Sequence, residues 1–235
     1  MYDIDSSKQR GREVERLVIF DMDGTTLDTL GYTIDVMNAA LLKKGYRALS
    51  DDIYKQLLGA GVNVMAQKLL AIVKPDHGAD EEKELVKEIM SNAVRWDDFR
   101  SIDMFRQIEE LLRWCMENDV QVSVLSNTPH TMVQELCSRN LPEYFKVVLG
   151  EGEVKRKPSA EGVEKICRLC DVRRENVLLV GDTLVDYQTA ENAGVSFLGV
   201  TWGCLNADQW RENGIHDFVE DGVQLKEWAA DYFGN

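Results

Sequence analysis

Two aspartates, Asp21 and Asp23, stand two residues apart at the end of the apolar run 17–20, which reads LVIF. Side chains alternate between the two faces of an extended backbone, so both carboxylates are expected on the same side. Carboxylates held close together repel each other unless a proton or a divalent cation lies between them. Because hard divalent cations prefer oxygen ligands, the pair predicts metal-assisted chemistry. Gly24 lets the chain turn away immediately afterwards.

Polar side chains also follow apolar runs later in the chain. Ser126 and Asn127 follow residues 120–125, Lys157 follows residues 147–149 after a polar loop, and Gly181, Asp182 and Asp186 follow residues 177–180. In an open parallel sheet, ligands bind at the carboxyl ends of the strands. These side chains are therefore expected to converge with Asp21, although each of them alone could equally be a solvated loop residue or a helix cap.

Helices and strands that would position these groups are predicted to alternate from residue 104 onward. Helical periodicity covers residues 104–118, 131–139, 160–170 and 187–193, and strands are predicted at 120–125, 147–149, 177–180 and 197–200. Strands that alternate with helices imply right-handed crossovers and a parallel sheet. With the first strand at 17–20, the fold class is predicted to be α/β with a Rossmann-like parallel sheet.

The chain between the first strand and this alternating region has a different character. Apolar residues recur there at helical spacing in residues 34–44, 51–58, 62–73 and 80–96, and no segment is a convincing strand. We therefore predict an inserted α-helical subdomain at residues 31–98. The α/β core domain would then consist of residues 1–30 and 99–235.

Composition limits the class of protein and its partners. The 235 residues are 44% hydrophobic and 29% charged, which predicts a globular protein with a sizeable core. The net charge of −14 argues against nucleic acid or an anionic membrane surface as a partner. No run of 18 apolar residues occurs and residues 1–16 are polar, so we expect a cytoplasmic protein. The oligomeric state cannot be read from the sequence.

Five cysteines, an odd number, do not suggest a disulfide framework in a chain of this length. Cys167 and Cys170 form a lone CxxC, but they lie in a predicted helix, where residues three apart share a face. We expect them to be small buried residues, with redox chemistry or metal binding as the alternative.

Four short motifs together resemble a known family. DMDGT at residues 21–25, continued by Asp28 and Thr29, resembles the first motif of the haloacid dehalogenase-like (HAD-like) hydrolases, in their phosphoglycolate phosphatase-like branch. The second motif corresponds to Ser126 at the end of VSVLSN, the third to Lys157 in KRKPSAEG, and the fourth to GDTLVD at residues 181–186. The motifs occur in the correct order, and the resemblance extends from residue 17 to about residue 200.

Two positions depart from the commoner family pattern. Thr26 stands where an apolar residue is commoner, and Ala160 stands where many relatives have proline after the lysine of the third motif. Neither is a group that the reaction requires. Because Lys155 and Arg156 adjoin Lys157, the assignment of the third-motif cation depends on the pairing of Lys157 with Pro158.

The resemblance implies a phosphatase that depends on Mg²⁺ and acts on a small phosphorylated metabolite. Asp21 would attack phosphorus to form an aspartyl-phosphate, while Asp23 would protonate the departing alkoxide and later activate water. Ser126 and the backbone N–H of Asn127 would bind a phosphoryl oxygen, and Lys157 would offset negative charge. Asp21, a backbone carbonyl near Asp23, and Asp182 would bind magnesium, with Asp186 orienting the metal's ligands and waters.

The same resemblance implies that residues 31–98 form a C1-type cap, which closes over the active site and selects the substrate. Gly59, Ala60 and Gly61 lie at a helix junction in this cap and resemble the specificity loop of phosphoglycolate phosphatases; a flexible helix–helix turn is the alternative. Four cap cations could each meet a second anionic group of the substrate or remain on the solvated surface. These are Arg47, Lys55, Lys68 and Arg95.

Three other functions use related scaffolds. A sugar phosphate mutase resembling β-phosphoglucomutase shares all four motifs but must protect its aspartyl-phosphate from water. A non-catalytic binding protein would be expected to have lost at least one charged motif. A dehalogenase needs no metal and lacks the second acid, so the presence of Asp23 argues against that activity.

Overall fold

Short apolar runs form a parallel six-stranded sheet, and the predicted polar groups follow the carboxyl ends of its strands. The structure is a computed structural model that describes residues 15–57, 59–93, 102–141 and 145–234. The strand order in the sheet is β3-β2-β1-β4-β5-β6. The strands are β1 (Arg16–Phe20), β2 (Val120–Pro129), β3 (Phe145–Glu151), β4 (Val177–Gly181), β5 (Ser196–Val200) and β6 (Phe218–Val219).

Strand β1 lies at the centre of the sheet, between β2 and β4. Leu17 and Ile19 pack into the hydrophobic core on one face, whereas Val18 and Phe20 pack into the core on the other. This arrangement explains why the run is apolar at every position, since a central parallel strand is covered on both sides.

Ten α-helices accompany the sheet within the described residues. They are α1 (Leu30–Lys43), α2 (Asp51–Lys55), α3 (Val62–Val73), α4 (Ala79–Ala93), α5 (Arg106–Glu117), α6 (His130–Asn140), α7 (Glu161–Cys170), α8 (Leu184–Ala193), α9 (Ala207–Glu212) and α10 (Gly222–Phe233). Helices α7 and α8 cover the face of β1 that carries Ile19, and α5 and α10 cover the opposite face. The predicted α/β fold class is thereby confirmed.

The inserted helices α1–α4, called the cap below, pack mainly on one another. Helix α4 contacts both α1 and α3, and Leu41, Leu69 and Leu85 are buried among them. The same hydrophobic cluster continues into the sheet side through Met22 and Leu136. The division at residues 31–98 remains a prediction, and its second boundary lies outside the described residues.

Several predicted element ends differ from the structure. The helix predicted at 51–58 ends at Lys55. Strand β2 extends beyond residue 125 to Pro129, because Pro129 pairs with Glu151 after a shift in register. Helix α8 begins at Leu184 rather than at residue 187, because Thr183 and Asp186 form a capping box there. Strand β6 was not predicted, since its two residues are too few to show a pattern.

All five cysteines are free, and Cys167 and Cys170 are buried beside the sheet as small core residues, as predicted. Burial raises the pKa of both thiols. Among the described helices, none combines the length and apolar character needed to cross a membrane.

Candidate active site

Three buried carboxylates and one ammonium group meet at the carboxyl edge of the sheet. Asp21 follows β1, Lys157 lies in the loop after β3, and Asp182 and Asp186 follow β4. Lys157 Nζ lies 2.5 Å from Asp21 Oδ1 and 2.5 Å from Asp186 Oδ1. One oxygen from each of the three carboxylates lies within 4.8 Å of the others. The structure thus brings together residues from the first, third and fourth sequence motifs.

Burial dominates the electrostatics of this group. It raises the pKa of Asp21 well above its usual range, and the Lys157 ammonium lowers it in part. Burial together with the neighbouring Asp186 raises the pKa of Asp182 to about 6. Although burial by itself disfavours the charged lysine, Asp186 and Asp21 raise the pKa of Lys157 above its usual value. When the three carboxylates are ionised, one ammonium leaves an excess of buried negative charge.

This donor set fits a hard divalent cation. It consists of carboxylate oxygens, the ligands that such cations prefer, and a cation would neutralise the excess charge. Asp182 is fixed in place, since Oδ1 accepts a hydrogen bond from Thr25 Oγ1 at 3.0 Å and Oδ2 accepts one from the Cys204 N–H at 2.8 Å. A side chain at Gly24 would overlap Asp182 Oδ2, so the glycine of the first motif lets that carboxylate approach the strand end.

Asp23 lies apart from the three-carboxylate group, next to the end of β2. Its Oδ2 accepts hydrogen bonds from Ser126 Oγ at 3.1 Å and from Thr128 Oγ1 at 2.8 Å. Ser126 Oγ in turn accepts the Thr128 N–H at 3.0 Å. Because both hydroxyl donors bind the same oxygen, the Asp23 carboxylate is held in one orientation. No role was predicted for Thr128, although its spacing of two from Ser126 places both side chains on one face of an extended segment.

Asn127 joins the third motif to the cap through its side chain. Its Nδ2 donates to the Gly59 carbonyl at 2.8 Å and to the Lys157 carbonyl at 3.1 Å, and its Oδ1 accepts the Lys157 N–H at 2.6 Å. The prediction for Asn127 concerned its backbone N–H and did not include these bonds. The side-chain amide therefore holds the backbone of the buried lysine and one residue of the cap loop in fixed relation.

Asp186 belongs to the three-carboxylate group, and it also caps helix α8 and binds the Lys157 ammonium. Its Oδ2 accepts hydrogen bonds from the Thr183 N–H at 3.1 Å and from Thr183 Oγ1 at 2.6 Å, which starts helix α8. Its Oδ1 accepts from Lys157. Asp186 thus holds the ammonium group in position beside Asp21.

The loop at residues 59–61 lies against the core. A Cβ atom at Gly59 would lie 3.1 Å from Thr183 Cγ2, and one at Gly61 would lie 3.0 Å from a terminal nitrogen of Arg156. Gly61 has a φ of 75° and a ψ of 155°, a conformation nearly restricted to glycine. Glycine therefore permits both the backbone geometry and the close approach at this loop.

A cavity opens between this site and the cap. Asp21, Asp23 and Lys157 lie at its core end, together with Ser126, Asn127 and Thr128. Gly59 and Gly61 also line the cavity, whereas Ala60 does not. The remaining wall is mostly apolar. It includes Val36, Met37, Val62, Met65, Met90 and Met132.

The cationic cap residues that the sequence suggested as substrate contacts do not lie at the cavity where the structure describes them. Arg47, Lys55 and Lys68 are exposed, and none of them lines the cavity. Arg95 lies outside the described residues. The apolar cavity wall was not predicted from the sequence. The side chains of this wall belong to separate helices, and the apolar faces of those helices resemble ordinary core faces.

Comparison with known proteins gives consistent matches. Residues 18–200 match the family model of the haloacid dehalogenase-like hydrolases. The chain is similar to a phosphoglycolate phosphatase from Photorhabdus laumondii subsp. laumondii, with 27% identity over 190 residues, covering 80% of this chain and 81% of the relative. It is also similar to an N-acetylmuramic acid 6-phosphate phosphatase from Pseudomonas putida, with 27% identity over 208 residues, covering 88% of this chain and 92% of the relative.

A crystal structure from Lactobacillus delbrueckii subsp. bulgaricus has the same fold. That protein, provisionally assigned as a phosphoglycolate phosphatase, superposes with a TM-score of 0.85 at 24% identity, covering 92% of this chain and 99% of the other. The likeness includes the cap helices as well as the sheet, since nearly the whole of both chains is covered.

Proposed function

Since this chain belongs to the haloacid dehalogenase-like hydrolase family, we propose that it hydrolyses the phosphate monoester of a small metabolite. The observation that carries the proposal is the position of Asp21. This carboxylate is buried at the end of the central strand, is hydrogen-bonded to Lys157, and lines a cavity that also contains Asp23. The proposed nucleophile and the candidate acid therefore line the same cavity.

Asp21 is the proposed nucleophile. Its Oδ1 accepts the hydrogen bond from Lys157, which leaves Oδ2 as the oxygen to attack phosphorus in line. The new bond from Asp21 to phosphorus forms as the bond from phosphorus to the ester oxygen breaks, giving an aspartyl-phosphate. Water then attacks the phosphorus, releases inorganic phosphate and restores the carboxylate.

Asp23 is the proposed general acid and base. It donates a proton to the departing alkoxide and afterwards accepts one from the attacking water. Ser126 and Thr128 hold the acid in position through one of its oxygens, Oδ2. The role requires Asp23 to hold a proton when the ester is bound.

Positive charge and hydrogen-bond donors must offset the negative charge of the phosphoryl group. Lys157 supplies a buried ammonium next to Asp21, and the N–H of Asn127 supplies a donor at the end of β2. The single O–H of Ser126 would turn from Asp23 Oδ2 to a phosphoryl oxygen when the ester binds, and Thr128 would then keep Asp23 in position. Asp21, Asp182 and a backbone carbonyl near Asp23 would hold Mg²⁺, with Asp186 supporting the arrangement. When bound, the magnesium ion would supply further charge neutralisation for the approach of one anion to another.

The decisive experiment replaces the nucleophile. Asp21→Asn keeps the shape of the side chain and removes the nucleophilic carboxylate, so release of inorganic phosphate should fall by a factor of ~10³ or more. Asp35→Asn changes an exposed aspartate of helix α1 that does not line the cavity, and it should leave turnover unchanged. Circular dichroism should show both variants folded, and turnover of Asp21→Asn within tenfold of the parent would exclude the proposed mechanism.

Measuring the product also separates a phosphatase from a mutase. A phosphatase releases one inorganic phosphate for each ester consumed, whereas a mutase transfers the phosphoryl group back to its sugar. Consumption of a sugar phosphate without release of phosphate would therefore favour the mutase.

A further inference from the structure

The cavity above the catalytic carboxylates has two chemically different ends. Its polar groups lie mainly at the core end, at Asp21, Asp23, Ser126 and Lys157. The far wall comes from helices α1, α3, α4 and α6 and is largely apolar. It carries Val36, Met37, Val62, Met65, Met90 and Met132. A phosphoryl group at Asp21 would therefore direct the rest of its ester toward hydrocarbon and thioether side chains.

A second anionic group on the substrate would meet no cationic side chain among the described residues of this wall, since the Arg156 guanidinium, near Gly61, does not line the cavity. Among the described residues that line the cavity, Lys157 has the only cationic side chain, and it is already hydrogen-bonded to Asp21 and Asp186. A charged group moved from water into apolar surroundings without a partner is strongly destabilised.

On the premise of the phosphatase function above, we propose that the preferred substrate is the monophosphate of a short, uncharged and predominantly apolar alcohol. The apolar wall binds the alcohol portion by removing its hydrocarbon surface from water. Phosphoglycolate and other esters with a second anionic group are then poor substrates. The specificity lies in the described wall of the cap and of α6, and not in the exposed cations of the cap.

The dimensions of the cavity set the size of the alcohol. Its volume of about 90 Å³, which includes the space beside Asp21 where the phosphoryl group would lie, is smaller than that of an enclosed cavity of roughly 150 Å³ that accommodates benzene. This comparison favours a short or branched alkyl group over a sugar. The several methionines allow the wall to adapt to slightly different shapes, because their side chains are unbranched and flexible.

The principal experiment compares two esters of nearly equal shape. Isobutyl phosphate and phosphoglycolate both carry a branched group after the first methylene, and they differ chiefly in that two methyl groups replace the two carboxylate oxygens. We expect kcat/KM to be at least tenfold higher for isobutyl phosphate with Mg²⁺ present. In the series methyl, ethyl, propyl and butyl phosphate, kcat/KM should rise by up to about fourfold for each methylene buried, until the cavity is full.

A variant tests whether the described wall produces this preference. Met90 lines the cavity and is half-buried, so Met90→Lys places an ammonium group at the wall. This change should lower kcat/KM for isobutyl phosphate and raise it for phosphoglycolate. Met90→Leu retains an apolar wall and should retain the preference, and Met116→Lys makes the same charge change at a side chain that is exposed on α5.

The outcomes distinguish this proposal from the one on which it rests. If phosphoglycolate is hydrolysed at least as well as isobutyl phosphate, the substrate class is wrong and the phosphatase function stands. An additional loss of phosphoglycolate turnover in Arg95→Ala would assign the missing cation to that residue. If neither ester nor acetyl phosphate yields inorganic phosphate above the Asp21→Asn background, both proposals are wrong.

Discussion

The side-chain amide of Asn127 donates a hydrogen bond to the carbonyl oxygen of Gly59 over 2.8 Å. This bond joins the end of strand β2 to the cap loop. The same amide binds the Lys157 backbone as both donor and acceptor. A single buried side chain thereby couples the position of the loop to that of the lysine beside the nucleophile.

We predict that Asn127→Ala lowers both stability and kcat/KM. Loss of the amide leaves buried backbone groups of Gly59 and Lys157 without these partners, at a cost of about 1–3 kcal/mol in the free energy of unfolding. Asn127→Asp should lower kcat/KM further, because a carboxylate oxygen would face two carbonyl oxygens. Denaturant unfolding and steady-state kinetics measure the two effects.

Asn213→Ala is the matched control for this change. The Asn213 amide donates to the Gln209 carbonyl at the end of helix α9, and neither residue lines the cavity. Its replacement should leave kcat/KM unchanged. Unaltered kcat/KM in Asn127→Asp would show that the coupling has no role in turnover.

Part of this architecture could be predicted from local sequence because local chemistry determines it. Four consecutive apolar residues before Asp21 indicate a strand buried on both faces, and the acids and amides behind such runs indicate the edge where ligands bind. Helix α3 was predicted with the bounds that the structure gives it, Val62–Val73. In these cases the information lies within one short segment.

The remaining features depend on contacts between distant segments. Asn127 and Gly59 are adjacent only after the cap packs on the sheet, so no local pattern indicates their bond. Likewise, Met90 and Met132 belong to different helices, and the sequence of each helix does not distinguish a residue that faces a core from one that faces a cavity. The Thr183–Asp186 capping box was hidden for another reason, since its aspartate also belongs to a motif assigned to metal binding.

The second prediction concerns the metal. Excess chelator should abolish activity and added Mg²⁺ should restore it, and Mg²⁺ should raise the melting temperature by stabilising the folded state. Asp182→Asn removes one buried carboxylate of the three-residue group. At least tenfold more Mg²⁺ should then be needed to restore activity and to raise the melting temperature. The melting temperature reports metal binding independently of turnover.

Asp208→Asn provides the comparison for Asp182→Asn, since Asp208 is an exposed aspartate paired with Arg211 on α9. Its Mg²⁺ response should match that of the parent. Full activity in excess chelator, or an unchanged Mg²⁺ response in Asp182→Asn, would contradict the proposed metal site.

The third prediction separates acid catalysis by Asp23 from a general effect of charge. An alkoxide of high pKa needs a proton as it leaves, whereas p-nitrophenolate departs readily without one. General-acid assistance of ~10²–10⁴ therefore applies mainly to alkyl phosphates. Asp23→Ala should reduce the burst rate far more for an alkyl phosphate than for p-nitrophenyl phosphate.

The burst must be monitored under saturating Mg²⁺ so that slow dephosphorylation is not mistaken for slow attack, since Asp23 is also proposed to activate water. Thr128→Val, which removes one hydroxyl donor to Asp23 and retains a similar shape, should show the same pattern in weaker form. Equal losses for both leaving groups in Asp23→Ala would indicate a role in folding or metal binding instead.

The fourth prediction concerns the cap loop. A Cβ at Gly61 would lie 3.0 Å from Arg156 and 3.4 Å from the carbonyl oxygen of Asn127. Gly61→Ala should therefore displace the loop and reduce kcat/KM more for isobutyl phosphate than for acetyl phosphate. Backbone strain should also lower the free energy of unfolding by about 1–3 kcal/mol.

Gly45→Ala separates backbone strain from the effect on the site. Gly45 also has a positive φ, of 82°, but a Cβ there would meet no atom within 4 Å. This variant should lose stability and retain its kinetic constants for both esters. Equal kinetic losses for both esters in Gly61→Ala would mean that the loop contributes only to the turn.

The central position of β1 also has consequences for the order in which the molecule can assemble. Leu17 pairs with Gln121 on one side and with Val177 on the other, so both neighbours of the strand come from far later in the chain. During synthesis from the N-terminus, the cap helices can form contacts with one another before either pairing partner exists. Contacts between residues far apart in sequence slow folding, because the chain loses the entropy of closing long loops before these contacts can stabilise it. The nucleophile, although encoded near the start of the chain, acquires its surroundings only after β4 has emerged.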